Sequence, residues 1–229
     1  LLRIFSLATD SRLRNKNSVL SPLSIFSDNA VLQGGKPIVI TGRGMSGDTV
    51  TVSLATMQQK TKVVDGVWSV EFPAQPYGGP YALKISDSGY SYKYRGIYIG
   101  EVVVVAGQSN AEMTLYETNH FNSYLKKYGD GDYIRVFRPN SVVATQSTRI
   151  TSTKWDMIAD QYSEYIIGAT TAIGIYYADQ LLQLNKDLQG VKIGIVQITY
   201  GGTSIEMFMP RSVNQRDAFV QRDDEFIRS

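Results

Sequence analysis

The chain has 229 residues, enough for one large domain or two small ones, and its 43% hydrophobic and 19% charged residues describe a globular protein rather than a disordered one. Its 23 Lys and Arg nearly balance 21 Asp and Glu, for a net charge of +2, so it lacks the basic excess that nucleic-acid binding asks for. The absence of cysteine excludes disulfides, thiolate metal sites and cysteine nucleophiles, and no apolar run approaches the ~20 residues of a membrane span.

Residues 1–21 read as a polar arm or linker. Its basic cluster of Arg12, Arg14 and Lys16 fits a solvated arm better than a phosphate-binding patch, and Leu1 to Phe5 is too short for the apolar region of a signal peptide. Residues 22–99 read as a small all-β sandwich domain. Strands are expected at 37–42, 48–54, 61–64, 67–72, 81–85 and 90–99, with turns at Gly44–Gly47, Asp65-Gly66 and Gly78–Pro80. Asp-Gly between two alternating runs is a strong hairpin signal.

Near Gly100 the pattern changes. Glu101-Val-Val-Val-Val-Ala106 predicts a fully buried strand in the middle of an α/β sheet. A polar stretch through Asn119 follows, then a strand at 133–137. Ala169 to Leu184 carries apolar residues at helical spacing, and Val191 to Ile198 is strand-like again. Strand, helix and strand of these lengths predict a parallel crossover. Asn214 to Ser229 is polar and charged and is expected to be helical. Trp68 and Trp155 are assigned to core or interface.

Two glycine turns end the two apolar strands. Gly107 permits a sharp turn that leaves Ser109 at the carboxyl edge of the sheet, where open α/β sheets bind ligands. A serine there exposes a hydroxyl beside its own backbone N–H. Taken alone, it reads more readily as a cap for a following helix, and the second glycine turn is what favours the nucleophile. Tyr200-Gly-Gly-Thr-Ser-Ile-Glu206 repeats the arrangement, with Gly202 able to let a ligand approach a second backbone donor. Glu112 and Glu206 follow the two turns, and a cap or ion pair is their ordinary use.

These blocks in this order resemble the sialate O-acetylesterase family of the SGNH hydrolase superfamily. The likeness rests on Gly107-Gln-Ser-Asn110 with Glu112 and on Gly201-Gly-Thr203 with Ile205-Glu206. It extends N-terminally through Leu23 to Gln33, Lys36-Pro37, Gly42, Gly66 with Trp68-Ser-Val70, and Gly79-Pro-Tyr81, so that it spans ~20–212. It implies a flavodoxin-like SGNH esterase domain from residue 100 to 229, preceded by the β-sandwich. Ser109 would be the nucleophile, with the N–H groups of Ser109 and Gly202 in the oxyanion hole. Gln108, Asn110, Glu112 and Glu206 would bind substrate or support the site. The reaction would remove acetyl groups from carbohydrate hydroxyls through an acetyl-enzyme, with no metal and no cofactor. Exposure outside the cell, in a periplasm or on a phage particle is favoured.

The chain departs from the family pattern. Ala111 replaces the usual methionine and Met113 the usual tryptophan. The third block, a Gln-Gly-Glu run, and the C-terminal Asp-x-x-His do not occur in these residues, so the SGNH domain is expected to be incomplete. A serine nucleophile needs a base. The general base would come from a continuation or a second chain. The single histidine, His120, follows Glu117 by three positions rather than an aspartate, which favours a surface or substrate contact over the base. The alternative is a catalytically inactive carbohydrate-binding or structural piece of a larger surface protein, such as a phage tail fibre or spike.

Overall fold

The computed structural model describes residues 19–139, 154–158, 162–184 and 190–208. Most of the expected N-terminal arm and the expected helix at 214–229 lie outside the described residues.

Eleven strands and four helices are described. The strands up to the site are β1 (Ser21–Pro22), β2 (Val31–Gln33), β3 (Ile38–Arg43), β4 (Thr49–Leu54), β5 (Met57–Lys62), β6 (Val67–Phe72), β7 (Gly78–Ser86) and β8 (Ser91–Gly107). They are followed by α1 (Ser109–Glu112), α2 (Phe121–Tyr128), β9 (Ile134–Phe137), β10 (Trp155–Met157), α3 (Ser163–Gly168), α4 (Ala172–Leu184) and β11 (Ile193–Thr199).

Alternation makes the first half. Ile38 and Ile40 of β3, Val50, Val52 and Leu54 of β4, and Trp68, Val70 and Phe72 of β6 are all buried, while their neighbours along each strand are not. Asp65 and Gly66 take φ of 51° and 78°, both positive as a two-residue primed turn requires, and Val64 and Val67 bridge across them. The turn also moves the chain between sheets. β5 pairs with β4 in a sheet of eight strands, whereas β6 pairs with β3 in a sheet of three, ordered β1-β3-β6. The apolar faces of both sheets meet in one buried cluster.

The large sheet runs β10-β9-β11-β8-β7-β4-β5, with β2 alongside β8. It is antiparallel from β5 to β8 and parallel across β8, β11 and β9. The molecule is therefore mixed α/β, with one large sheet and few helices. β8 carries the chain from one regime to the other in a single strand of 17 residues that passes through Gly100 without a break. At that point a Cβ would collide with the backbone of Lys192 and with Val31, so the close approach of β11 and β2 requires glycine.

Two expectations differ from this architecture. The valine run is not fully buried: Val105 faces the core, but Val104 is 42% exposed and Ala106 is exposed. The parallel strands run β9-β11-β8, so the serine-bearing strand stands outside β11, whereas the flavodoxin-like order places a first strand between its two successors. Up to Gly100 β8 is flanked by β7 on one edge and β2 on the other, Ile99 pairing with both Gly78 and Leu32. The expected crossover is parallel: β9 and β11 are adjacent, with α4 between them in sequence. Helices α1–α4 and the inner faces of the parallel strands enclose a second cluster around Ile134, Ile175, Ile193 and Ile195.

Candidate functional site

Register brings the two glycine turns together. β8 and β11 pair in parallel from Glu101↔Ile193 to Gly107↔Thr199, and the Tyr200 N–H extends the ladder to the Gly107 carbonyl at 3.0 Å. Both strands thus end at the same height, ~5 Å apart, and deliver their turns to one edge of the sheet. Gly107 has a φ of +148°, which sends the chain sharply out of β8 into α1. Ser109 opens that short helix and is exposed. Gly202 has a φ of +75°, and the Thr203 hydroxyl closes its turn onto the Tyr200 carbonyl at 2.7 Å.

The sequence-derived candidates fall around this edge. Gln108 precedes α1, and its side-chain oxygen accepts the Ser109 N–H at 3.0 Å and also the Ser109 hydroxyl. Asn110 is exposed on α1. Glu112, at the end of α1, reaches across to the second turn: a Cβ on Gly201 would come within 2.5 Å of its carboxylate oxygen. Glu206 lies in the 3-10 turn Ile205–Phe208, and its side chain is outside the described residues. His120 is exposed just before α2, its ring edge-on to Tyr176 with centroids 5.9 Å apart. Among the described residues it makes no hydrogen bond to Ser109.

The brace behind α1 was not read from the sequence. Thr171 is fully buried; its hydroxyl donates to the Ala111 carbonyl at 2.6 Å, and its N–H donates to Gln197 Oε1 of β11 at 3.1 Å. Ala172 N–H donates to the Met113 carbonyl and Leu115 N–H to the Thr170 carbonyl. The turn before α4 therefore ties the exit of α1 to β11. The available signal was Gln197, a polar residue within the apolar run Ile193–Ile198, since a polar side chain held in a sheet interior is there to be hydrogen-bonded. Farther out, the Thr114 N–H and hydroxyl both donate to Glu117, which holds that carboxyl below its ordinary range.

A sialate O-acetylesterase of Rattus norvegicus is 26% identical over 203 residues, covering 81% of this chain and 37% of that protein. The Mus musculus sialate O-acetylesterase is 23% identical over 208 residues, with coverage of 81% and 37%. The crystal structure of a carbohydrate acetylesterase from Xanthomonas citri superposes with a TM-score of 0.75 at 28% identity, covering 87% of this chain and 44% of that one. Over most of its length the chain is thus similar to sialate O-acetylesterases and to a carbohydrate acetylesterase. It spans under half the length of each of these relatives. No family model matches the chain. The similarity to the rat esterase, over 203 residues and 81% of this chain, takes in both its strand-only half and its parallel half.

Proposed function

We propose that this chain is the serine-bearing part of a carbohydrate O-acetylesterase, with a β-sandwich over 22–99 joined to the N-terminal part of an SGNH-type hydrolase domain from residue 100. The observation that carries the reading is the pairing of β8 with β11, which sets Ser109 and the Gly201-Gly202 turn side by side at one sheet edge. The similar proteins are named as esterases, so an inactive binding or structural role is not favoured.

In this reading Ser109 Oγ attacks the carbonyl carbon of a sugar acetate while its proton passes to a general base. The N–H groups of Ser109 and Gly202 hold the oxyanion of the tetrahedral intermediate. The sugar oxygen leaves with the proton returned by the base, and acetyl-Ser109 remains. Water, deprotonated by the same base, then releases acetate and restores the serine. Backbone donors, a serine and the general base carry these steps with no metal or organic cofactor. The base and its aspartate are assigned, on the family resemblance, to an Asp-x-x-His segment in a continuation or second chain.

The test is acetate release from an acetylated sugar by the complete protein. Ser109→Ala is expected to lower turnover by several orders of magnitude with the fold unchanged, since serine hydrolases that lose the nucleophile keep only oxyanion and binding contributions. The 229-residue chain alone is expected to be nearly inactive, and His120→Ala to change the complete protein's rate little. Undiminished turnover in Ser109→Ala would end the esterase reading. Full activity of the chain alone would make His120 the base.

A further inference from the structure

Both groups that Ser109 must offer to an ester are engaged by one neighbouring atom. Oε1 of Gln108 accepts the Ser109 backbone N–H at 3.0 Å and accepts the Ser109 hydroxyl as well. A neutral amide oxygen does not take a proton at neutral pH, so this contact cannot activate the serine. What it does is fill a position. A carbonyl oxygen hydrogen-bonded to the Ser109 N–H and lying against Oγ stands where the carbonyl oxygen of a bound acetyl group would have to be.

We propose that Gln108 is a positioning residue that occludes the oxyanion site at rest: its side-chain amide takes the place of the acetyl carbonyl oxygen and must swing into solvent before an ester binds. The proposal rests on the reading of Ser109 as nucleophile. Gln108 and Ser109 are both exposed, which leaves the amide room to rotate. The start of α1 does not depend on that side chain, because the Ala111 N–H donates to the Gln108 main-chain carbonyl at 2.7 Å. Substitution at 108 therefore removes the occluding oxygen and leaves the turn held. The device would lower affinity for every acetyl ester alike and keep the serine hydroxyl engaged while no substrate is present.

Acetate, the expected product, serves as the probe, followed by nuclear magnetic resonance at the Ser109 amide of the 229-residue chain at constant ionic strength. Gln108→Met keeps the side chain's length and lacks the oxygen. It is expected to bind acetate about tenfold more tightly than the unaltered chain, because an occupant present nine-tenths of the time lowers apparent affinity by that factor. Gln108→Glu keeps an oxygen in place and adds negative charge, so it is expected to bind acetate more weakly than the unaltered chain. Gln108→Ala provides a second oxygen-free variant, and the remaining amide signals report that the fold is kept. Equal or weaker binding in both oxygen-free variants, or no response at Ser109 in any chain, would overturn the proposal. Ser109→Ala separates the two readings, since it keeps the backbone N–H. Turnover that survives Ser109→Ala, with acetate still sensitive to residue 108, removes the esterase role and leaves the occluded donor standing. Turnover lost in Ser109→Ala, with acetate insensitive to residue 108, leaves the esterase and removes the occlusion.

Discussion

A carboxylate buried between two helices is tolerable only when donors fill its oxygens, and Asp179 of α4 is surrounded by them. It is 3% exposed and accepts from Lys127, Tyr124 and Tyr128 of α2 and from Gln183 one turn along its own helix. Burial alone would push its carboxyl up, but the donors, Lys127 first among them, outweigh it and hold the group below its ordinary range. The sign of the pH effect follows. A carboxyl whose folded value is depressed contributes stability that is present above its unfolded value, near ~4, and is lost as pH falls through the folded one. Asp132, held down in the same sense by Arg135 and Lys192 against its own burial, adds to that trend. Asp179→Ala should cost about 1–3 kcal/mol at neutral pH, since the stranded Lys127 can turn to water while the tyrosine hydroxyls lose a buried acceptor. Urea unfolding of both chains between neutral and acid pH would measure this. The gap between them should narrow as the pH drops, and a gap that widened would reverse the assignment.

At the scale of the element, β8 decides how the site is presented. Glu101 N–H donates to the Lys192 carbonyl and the Gly107 carbonyl accepts from Tyr200, so residues 101, 103, 105 and 107 turn their backbone groups to β11. Residues 102, 104 and 106 turn theirs the other way. Val102 N–H finds Gln33 Oε1 at 3.0 Å, while Val104 and Ala106 meet no strand on that edge among the described residues. Substitutions along the strand should differ accordingly. Val104→Thr should stay within about 0.5 kcal/mol of the unaltered chain, whereas Ile195→Ala, beneath α4 in the core, should cost about 2–5 kcal/mol. Gly107→Ala should cost about 1–3 kcal/mol, because its φ of +148° disfavours a side chain and the added Cβ would lie 3.0 Å from Ala111. Chemical denaturation of the three variants tests the order. A Val104→Thr loss matching that of Ile195→Ala would mean that the strand is covered on the face described as open.

The same strands explain what was legible beforehand. Strict alternation gave β3, β4 and β6 nearly to the residue. β5 is Met57-Gln-Gln-Lys-Thr-Lys62, polar and mostly exposed, and is held by backbone pairing to β4; no hydrophobic pattern marks it, and the expected strand at 61–64 lay too far along. Gly78–Pro80, expected as a turn, lies inside β7. The helix α2 could have been read, since Phe121, Tyr124, Leu125 and Tyr128 fall at helical spacing, but the short polar stretch before it hid the pattern. At the site, the glycine turns and Ser109 were visible because strand ends and glycines leave local marks. The brace through Thr171 and Gln197 joins residues 26 positions apart and leaves none.

Over the whole molecule, the strand-only half and the parallel half are joined by buried polar contacts as well as by β8. Arg135 of β9, 2% exposed, donates to the carbonyls of Asn29 and Gly96 and stacks over Tyr98 with 4.6 Å to the ring centroid. Trp155 of β10 donates to the Ile25 carbonyl at 2.8 Å, and the bare Cα of Gly194 in β11 lets both Val31 and Trp155 pack against that strand. Among the described residues every helix follows Gly107, and Trp68 is the only tryptophan before it. This distribution supplies independent probes for the two halves. In a Trp155→Phe chain, fluorescence reports Trp68 and helical circular dichroism reports the parallel half. The two signals should lose structure at the same urea concentration, as in a single cooperative transition. Adding Arg135→Met should lower both midpoints together, by about 1–3 kcal/mol, because two carbonyls between the halves lose their donor. If the Trp68 signal kept its midpoint while the helical signal moved, the halves would be independent units and the contacts through Arg135 would not couple them.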